Sequence, residues 1–328
     1  MRALFVNEID GPFVLREIAR PEPARGQVLV HIAASGVNPL DTKIRAGRAP
    51  HARQPLAAVL GVDLAGVVEA VGDGVDALRP DDEVYGLATG VGGHQGSLAE
   101  YAAVDAALVA RKPARLSMRE AAALPLVLIT AWEGLVDRAG VATGMKVLIQ
   151  GGADGVGHIA VQLARAFGAE VCASDSAGRR AIIEELGATF IDRESPMPEV
   201  LAQHTHAGFD IVFNTVGGAS LDAAFQSVRT YTGHVVSSLG WGRHALAPLS
   251  FRGATYSGVF TLLPLLTGTG REHHGEILAE GARLVDAGRL RVRVDPRRFT
   301  LADAEEAHRV VAGGTGLGKV VVEISNVR

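Results

Sequence analysis

Residues 147–164 read VLIQGGADGVGHIAVQLA. The segment opens with an apolar run typical of a buried strand and ends with apolar residues at helical spacing. The glycines between them allow a tight turn and a close approach to a ligand, and the N-terminus of the following helix offers N–H donors to a phosphate. Gly152 and Gly157 stand at the first and third glycine positions of G-x-G-x-x-G, so the segment predicts a dinucleotide-binding turn.

Asp154 departs from this pattern, because it stands where the second glycine is expected. If its carboxylate faces the pyrophosphate, repulsion costs about 1 kcal/mol in water and about 4 kcal/mol near a protein surface. Asp tolerates turn conformations better than most non-glycine residues, which favours a side chain that points to solvent. A carboxylate that faces the cofactor is the alternative.

The sequence contains signals for both NAD(H) and NADP(H) as the dinucleotide. Asp175 ends the next predicted strand, 18 residues beyond Gly157. A carboxylate there accepts from a ribose 2′-OH and repels a 2′-phosphate, which favours NAD(H). Arg179, Arg180 and Arg193 can pair with that phosphate, which favours NADP(H). The other interpretation of these arginines is a solvated helix start.

Strand-like and helix-like runs alternate around this turn. In chain order they are KVLIQ, HIAVQLARAFG, EVCASD, RAIIEELG, FDIVFNTVG, SLDAAFQSVRT and GHVVSSLG. Alternation of this kind predicts a parallel sheet with helices on both faces.

The first third of the chain has a different pattern. Its β-rich runs are separated by turn residues and cover Val28–Gly36, Leu64–Gly72, Asp82–Leu87 and Leu98–Asp105. They predict a closed or sandwiched β domain.

Helix signals mark the change of pattern and the end of the chain. Ser117, with Glu120 three residues later, predicts a capping box, and Pro125 should break or kink the helix that follows. Towards the C-terminus we expect helices over Glu276–Gly288 and 304–311, then a last strand over 319–324.

Composition excludes several classes of protein. The 328 residues include 48% hydrophobic and 21% charged residues and have a formal net charge of −4, which argues against disorder and against nucleic-acid binding. One cysteine, Cys172, rules out a disulfide framework, and as a strand cysteine it is assigned no role. The N-terminus lacks an apolar leader and the longest apolar stretch is interrupted, so we expect a cytoplasmic protein without a membrane partner.

Six segments in this order resemble the medium-chain dehydrogenase/reductase superfamily, in its zinc-independent quinone oxidoreductase (zeta-crystallin-like) branch. They are SGVNPLDTKIRAG (35–47), LGVDLAGVVEAVG (60–72), LPLVLITAWEGL (124–135), VLIQGGADGVGHIAVQLA (147–164), FDIVFNTVGG (209–218) and GKVVVEI (318–324). The resemblance runs over nearly the whole chain.

The resemblance implies an α/β architecture of two domains. A GroES-like, β-rich catalytic domain would comprise residues 1–120 and 266–328, and a Rossmann domain with a doubly wound parallel sheet would comprise residues 121–265. It also implies a cofactor in the cleft between them, NADP(H) in preference to NAD(H), and a homodimer or homotetramer. The partner would be a small-molecule substrate.

Zinc chemistry is not expected. The zinc-dependent relatives use a cysteine where this chain has Asn38 and a histidine where it has Val62, and the cysteine-rich lobe for a second zinc is missing. The His204–His206 and His273–His274 pairs lack Cys or carboxylate partners at ligand spacing, which predicts solvated histidines.

The implied reaction moves a hydride from nicotinamide to a quinone or an α,β-unsaturated carbonyl. Without a metal, hydrogen-bond donors must stabilise the oxygen that gains negative charge. Asn38 is the candidate donor and Asp41 orients its neighbours. Lys43 replaces a tyrosine frequent in the family and is either a second stabilising group or a surface lysine. The resemblance places Thr130 near the nicotinamide.

The remaining candidates line the cofactor or the substrate. For the cofactor they are Gly152, Ala153, Asp154, Gly155, Val156, Gly157, Ser174, Asp175, Arg179, Arg193, Val216, Ser238, Gly240 and Lys319. Trp241 is a candidate wall of the substrate pocket, with ordinary packing as the other interpretation. A non-catalytic nucleotide-binding or structural protein is the alternative function, and Asp154 in the phosphate turn favours it.

Overall fold

The computed structural model describes residues 1–326. The chain divides into two units. The first contains Met1–Leu126, Leu262–Gly288 and the chain from Val292 onward, and the second contains Val127–Thr261 and Arg289–Arg291. The chain therefore leaves the first unit, builds the second and returns.

Sixteen strands form the sheets of the described chain. In chain order they are β1 (Arg2–Val6), β2 (Phe13–Glu17), β3 (Gln27–Val37), β4 (Ala58–Val59), β5 (Asp63–Val71), β6 (Glu83–Leu87), β7 (Tyr101–Asp105), β8 (Val109–Arg111), β9 (Lys146–Gln150), β10 (Glu170–Asp175), β11 (Thr189–Asp192), β12 (Ile211–Asn214), β13 (His234–Ser237), β14 (Thr255–Gly258), β15 (Phe299–Thr300) and β16 (Val320–Glu323).

Eleven α-helices lie between these strands in the described chain. They are α1 (Pro39–Arg45), α2 (Met118–Ala122), α3 (Pro125–Trp132), α4 (Gly155–Ala166), α5 (Arg180–Glu185), α6 (Met197–His204), α7 (Ala219–Ser227), α8 (Ala247–Ser250), α9 (Leu263–Thr267), α10 (Arg271–Asp286) and α11 (Ala304–Ala312).

The first unit is built on two sheets. The larger has the order β15-β16-β3-β5-β6-β8, with β7 also paired to β3, and the smaller has the order β2-β1-β4. All pairs are antiparallel except β15 with β16. The predicted strands from Val28 to Leu87 match β3, β5 and β6 closely. The run from Leu98 becomes a strand only at Tyr101, because Leu98 instead bonds to Leu60 and Leu4 through its backbone.

The second unit contains one parallel sheet of order β11-β10-β9-β12-β13-β14. Apolar side chains of the strands and helices close one of its faces, among them Leu148, Phe209, Val212 and Phe225. Burying each of these side chains stabilises the unit by roughly 1.5–3 kcal/mol. The predicted α/β fold class, with a β-rich GroES-like part and a Rossmann-like parallel sheet, is confirmed.

The helix signals are also visible in the structure. Ser117 Oγ accepts from the Glu120 N–H at 3.3 Å, and the Glu120 carboxylate accepts from the Ser117 N–H at 2.9 Å, so the capping box is present. One helix ends at Ala122 and the next begins at Pro125. A π-helical turn over Glu133–Arg138, which the periodicity did not indicate, follows α3.

The helix predicted over Glu276–Gly288 differs from α10 at its start. α10 begins at Arg271, five residues earlier, because the preceding Gly268 and Gly270 both adopt positive φ and end the segment before it. None of the described helices combines the length and apolarity needed to cross a bilayer.

Candidate functional site

The turn between β9 and α4 is closed too tightly for side chains at its glycines. Gly151 has φ +80°, and its N–H donates to the Ser174 carbonyl at 2.9 Å. A Cβ on Gly152 would lie 2.6 Å from the Ala173 Cβ, and one on Gly157 would collide with the Gly151 carbonyl oxygen. The two predicted glycine positions are therefore required by packing.

Asp175, at the carboxyl end of β10, braces this turn. Its side chain is nearly buried, with Oδ2 accepting from the Ala153 N–H at 3.1 Å and Oδ1 accepting from the Ser176 N–H at 2.8 Å. A carboxylate has about four acceptor sites, so these two bonds leave capacity for a hydroxyl. The residue fixes the loop and stays a candidate for contacting a ribose.

Asp154 directly precedes α4 and pairs with an arginine. Its half-exposed carboxylate lies 2.5 Å from Arg179, between Oδ1 and Nη1. Burial against the loop, together with the charge of Asp175, raises the pKa of Asp154. The carboxylate is thus neither free in solvent nor buried in the turn.

The other two arginines have different partners. Arg180 pairs with Glu184 one helical turn later and lies over the Phe190 ring at 4.3 Å. Arg193 is exposed and pairs with Glu194. Arg179 is the predicted arginine whose guanidinium reaches the loop itself.

The loop and helix fit the pyrophosphate of a dinucleotide. The N–H groups of Gly155, Val156 and Gly157 lie in the first turn of α4, where no intrahelical acceptor exists and the helix dipole is positive. Such donors next to a glycine turn are the arrangement that binds phosphate. The Asp154 carboxylate opposes that anion, and its pairing with Arg179 offsets part of the opposition.

Other cofactor candidates lie at the carboxyl ends of β12 and β13, as parallel strands require. Val216 is half-exposed, and the Ser238 N–H donates to the Asn214 carbonyl at 3.3 Å. A side chain at Gly240 would collide with the Tyr256 hydroxyl. These positions present backbone and small apolar groups.

The two candidates assigned to nicotinamide and substrate differ in exposure. Thr130 is buried on α3. Trp241 is half-exposed and meets the Phe260 ring edge-on at 6.4 Å between centroids. Both roles stay predictions.

The first unit holds a buried cluster of charged and amide side chains around Asn38. Asn38 Nδ2 donates to Asp63 Oδ2 at 2.9 Å, and Asn38 Oδ1 accepts from Lys319 Nζ. Asp41 Oδ2 accepts from the Asn38 N–H at 2.8 Å. The Leu126 N–H donates to Asp63 Oδ1 at 3.0 Å. The loop before α1, the start of β5 and the residue before β16 thus meet at one point.

Ionisation of this cluster is strongly perturbed. Burial raises the pKa of Asp41 to about 7 and that of Asp63 to about 6, and it lowers the pKa of Lys319. The charge of Asp63 adds to the rise at Asp41, while the Lys319 ammonium opposes it. Two carboxylates and one ammonium leave net negative charge in an apolar surrounding, so the cluster retains a proton near neutral pH.

Lys43 lies apart from this cluster. Its side chain is exposed on α1, whereas Asn38 and Asp41 are fully buried. The sequence predicted Asn38 and Asp41 as catalytic residues and Lys319 as a cofactor contact, and these roles stay predictions. It did not single out Asp63. A signal for Asp63 was available, because a single carboxylate within the apolar run LGVDLAGVV is buried only when it has partners.

Metal ligands are not clustered in the described part of the chain. No group of three or more His, Cys, Asp or Glu side chains there is arranged to hold a metal ion. Burial raises the pKa of the Cys172 thiol to about 11, which keeps it protonated at neutral pH.

Comparison with known proteins identifies the family. A family model described as alcohol dehydrogenase GroES-like domain matches residues 24–114, and one described as zinc-binding dehydrogenase matches residues 186–322. The human quinone oxidoreductase is 31% identical over 332 residues, covering 98% of this chain and 97% of that protein. The chloroplastic NADPH-dependent alkenal/one oxidoreductase of Arabidopsis thaliana is 33% identical over 333 residues, covering 98% and 79%.

A solved structure gives the same result. The crystal structure of an alcohol dehydrogenase superfamily protein from Novosphingobium aromaticivorans is 55% identical, with a TM-score of 0.97, and the match covers 99% of this chain and all of that one. The match includes both sheets of the first unit and the parallel sheet of the second. The chain belongs to the medium-chain dehydrogenase/reductase superfamily, in its zeta-crystallin-like quinone oxidoreductase branch, and is an oxidoreductase of that family.

Proposed function

We propose that this chain is an NAD(P)H-dependent reductase of quinones or α,β-unsaturated carbonyls that works without zinc. The observation that carries the proposal is the loop before α4, which excludes side chains at Gly152 and Gly157 and precedes a helix N-terminus. The names of two relatives, quinone oxidoreductase and NADPH-dependent alkenal/one oxidoreductase, support the same reaction class.

We assign NADP(H) as the preferred cofactor. Arg179 supports this choice, because its guanidinium reaches the loop and a planar guanidinium pairs well with a phosphate. The Ala153 and Ser176 N–H groups donate to the Asp175 carboxylate and offset part of the repulsion that it exerts on a 2′-phosphate, which supports the same choice.

The zinc-free mechanism rests on the donor set of this chain. The family resemblance implies that Asn38 and Val62 stand at the positions of two zinc ligands of the metal-dependent relatives, and an amide with an aliphatic side chain is a poor donor set for Zn²⁺. The Asn38 amide oxygen is already an acceptor for Lys319.

A bound nicotinamide supplies the hydride that reduces the electron-poor carbon. The protein must hold the substrate and stabilise its oxygen as negative charge develops. Lys43 is exposed and cationic, and we assign it the role of a second group that stabilises this oxygen. The buried Asn38 side chain donates one of its two amide hydrogens to Asp63, which leaves the second for the substrate oxygen.

Variants of these two residues separate their roles. Lys43→Met should lower kcat by about a hundredfold, the lower end of the range for removing one donor from a developing oxyanion, with little change in cofactor affinity. Asn38→Ala should reduce both turnover and stability, since it removes the partner of two buried ions. Full activity of Lys43→Met would show that Lys43 is a surface lysine without a role in the reaction.

Titration of the purified protein with NADPH and NADH, followed by nicotinamide fluorescence, tests the proposal. We expect micromolar binding of NADPH, weaker binding of NADH, and NADPH oxidation when a quinone or an enone is added. The metal content of the active protein, measured by atomic emission, should be far below one zinc per chain.

Two results would overturn the proposal. Absence of binding up to millimolar NADPH and NADH would favour the non-catalytic alternative, which the Asp154 carboxylate supports. Stoichiometric zinc whose removal abolishes activity would refute the zinc-free mechanism.

A further inference from the structure

Arg179 lies between two carboxylates beside the turn that joins β9 and α4, which we call the phosphate loop. Its Nη1 lies 2.5 Å from Asp154 Oδ1, and its Nε lies 4.0 Å from Asp175 Oδ1. One third of the Arg179 side chain and half of the Asp154 side chain are exposed. A ligand arriving at the loop therefore meets an ion pair that is already formed and still accessible.

The two carboxylates are not equivalent. Asp175 is buried and accepts from two backbone N–H groups, so it is a fixed part of the loop. The Asp154 carboxylate accepts a side-chain hydrogen bond from Arg179. An anion with more charge than a carboxylate can displace Asp154 from the guanidinium, whereas Asp175 is held in place.

We propose that Asp154 determines cofactor specificity, because it competes with the 2′-phosphate of an adenine dinucleotide for Arg179. This inference rests on the proposed use of a nicotinamide dinucleotide. A free ribose 2′-hydroxyl has no charge to exchange for the carboxylate, so the competition acts on NADPH and spares NADH. The native chain thus discriminates less between the two cofactors than Arg179 alone would allow.

Two features of the structure support this interpretation. The position of Asp154 is the one where the glycine pattern places no side chain, so the carboxylate is an addition to the basic loop. Its backbone carbonyl accepts from the His158 N–H at 2.9 Å, which closes the first turn of α4 independently of the side chain. Replacing the carboxylate by an amide therefore changes the charge without removing the helix start.

Two nucleotide fragments isolate the effect of the 2′-phosphate. Adenosine 2′,5′-bisphosphate and 5′-AMP share the 5′-phosphate and differ only in the 2′-phosphate, and neither carries a nicotinamide. Their dissociation constants would be measured by calorimetry on the full-length protein and on Asp154→Asn, with NADPH and NADH measured by fluorescence in parallel.

We expect Asp154→Asn to tighten the bisphosphate by about fivefold or more relative to 5′-AMP, the scale of one unit-charge repulsion near a protein surface reduced by solvent. The dissociation constant of NADPH should fall relative to that of NADH by a similar factor. In an Arg179→Gln background, Asp154→Asn should leave the ratio of the two fragments' dissociation constants unchanged, because the competition requires the Arg179 guanidinium. Glu185→Gln, which removes an exposed carboxylate from the end of α5, is the matched control and should leave that ratio of dissociation constants unchanged.

The outcomes separate this inference from the proposed function. If Asp154→Asn binds both NADPH and NADH and the ratio of their dissociation constants equals that of the native chain, the inference is overturned and the reductase proposal stands. Weaker binding of NADPH relative to NADH in Asp154→Asn would also overturn the inference, and it would show that Asp154 positions Arg179 for the phosphate. If neither the native chain nor Asp154→Asn binds any of the four nucleotides, both proposals fail.

Discussion

Asp41, in the cluster around Asn38, contributes to the pH dependence of stability. In the described part of the chain, Asp41 Oδ1 has no hydrogen-bond partner although it is buried, and Asp63 lies close enough to repel it. The folded state therefore binds the Asp41 proton more tightly than the unfolded chain does. The contribution of Asp41 to the free energy of unfolding then falls as the pH rises from about 4 to about 7, the interval between the ordinary and the raised pKa.

Asp41→Asn tests that linkage, because an amide mimics the protonated acid and can still accept from the Asn38 N–H. The variant should gain stability relative to the native chain between pH 4 and pH 7, by at most about 1.4 kcal/mol per pH unit. Urea denaturation at pH 5 and pH 8 would measure it. An equal stability difference at the two pH values would contradict the raised pKa.

Asp295 provides a control of opposite sign in the same unit. Hydrogen bonds from the Arg297 guanidinium, with others from the Leu317 and Arg297 N–H groups, hold the pKa of this buried carboxyl well below its usual range. Asp295→Asn should therefore lose stability at neutral pH. The loss should shrink as the pH falls below about 4, because the carboxyl of the unfolded native chain then becomes protonated while that of the folded chain stays ionised.

Among the structural elements, those with local signals could be predicted from the sequence. The glycine turn, the capping box at Ser117 and the alternation of strands and helices depend on neighbouring residues, and each is present in the structure. The pairing of β7 with β3 depends on residues more than sixty positions apart, and no periodicity encodes it. The cluster of Asn38, Asp63 and Lys319 escaped prediction for the same reason, since it joins three distant segments.

Gly157 makes the connection between β9 and α4 sensitive to one methyl group. Gly157→Ala places a Cβ against the Gly151 carbonyl, so the backbone must shift, at a cost of about 1–3 kcal/mol. Dinucleotide affinity should fall with it, because the same shift moves the N–H donors of the first turn of α4. Chemical denaturation and calorimetric titration would measure the two effects.

Gly178 is the matched control in the same unit. A Cβ there meets no atom within 4 Å, and its φ is not positive. Gly178→Ala should leave affinity unchanged and should not reduce stability. A loss in Gly178→Ala as large as that in Gly157→Ala would show that the effect does not arise from the close contact.

At the scale of the whole molecule, the parallel sheet of the second unit ends in two edge strands, β11 and β14. The residues of β14 are mostly exposed, including Thr255 and Tyr256, and no further strand of the described chain pairs with its outer edge. An edge of this kind can pair with another strand, and a two-fold axis would pair β14 with the β14 of a second copy.

We therefore expect a homodimer, or a homotetramer containing such dimers, with a sedimentation mass two or four times the 34.2 kDa of one chain. Thr255→Lys should weaken the assembly, because a lysine on an edge strand disfavours pairing with a second strand. Thr189→Lys, at an exposed position on the opposite edge strand β11, is its control and should sediment like the native chain. A monomeric native chain would contradict the assembly. Dissociation by Thr189→Lys alone would move the interface to β11.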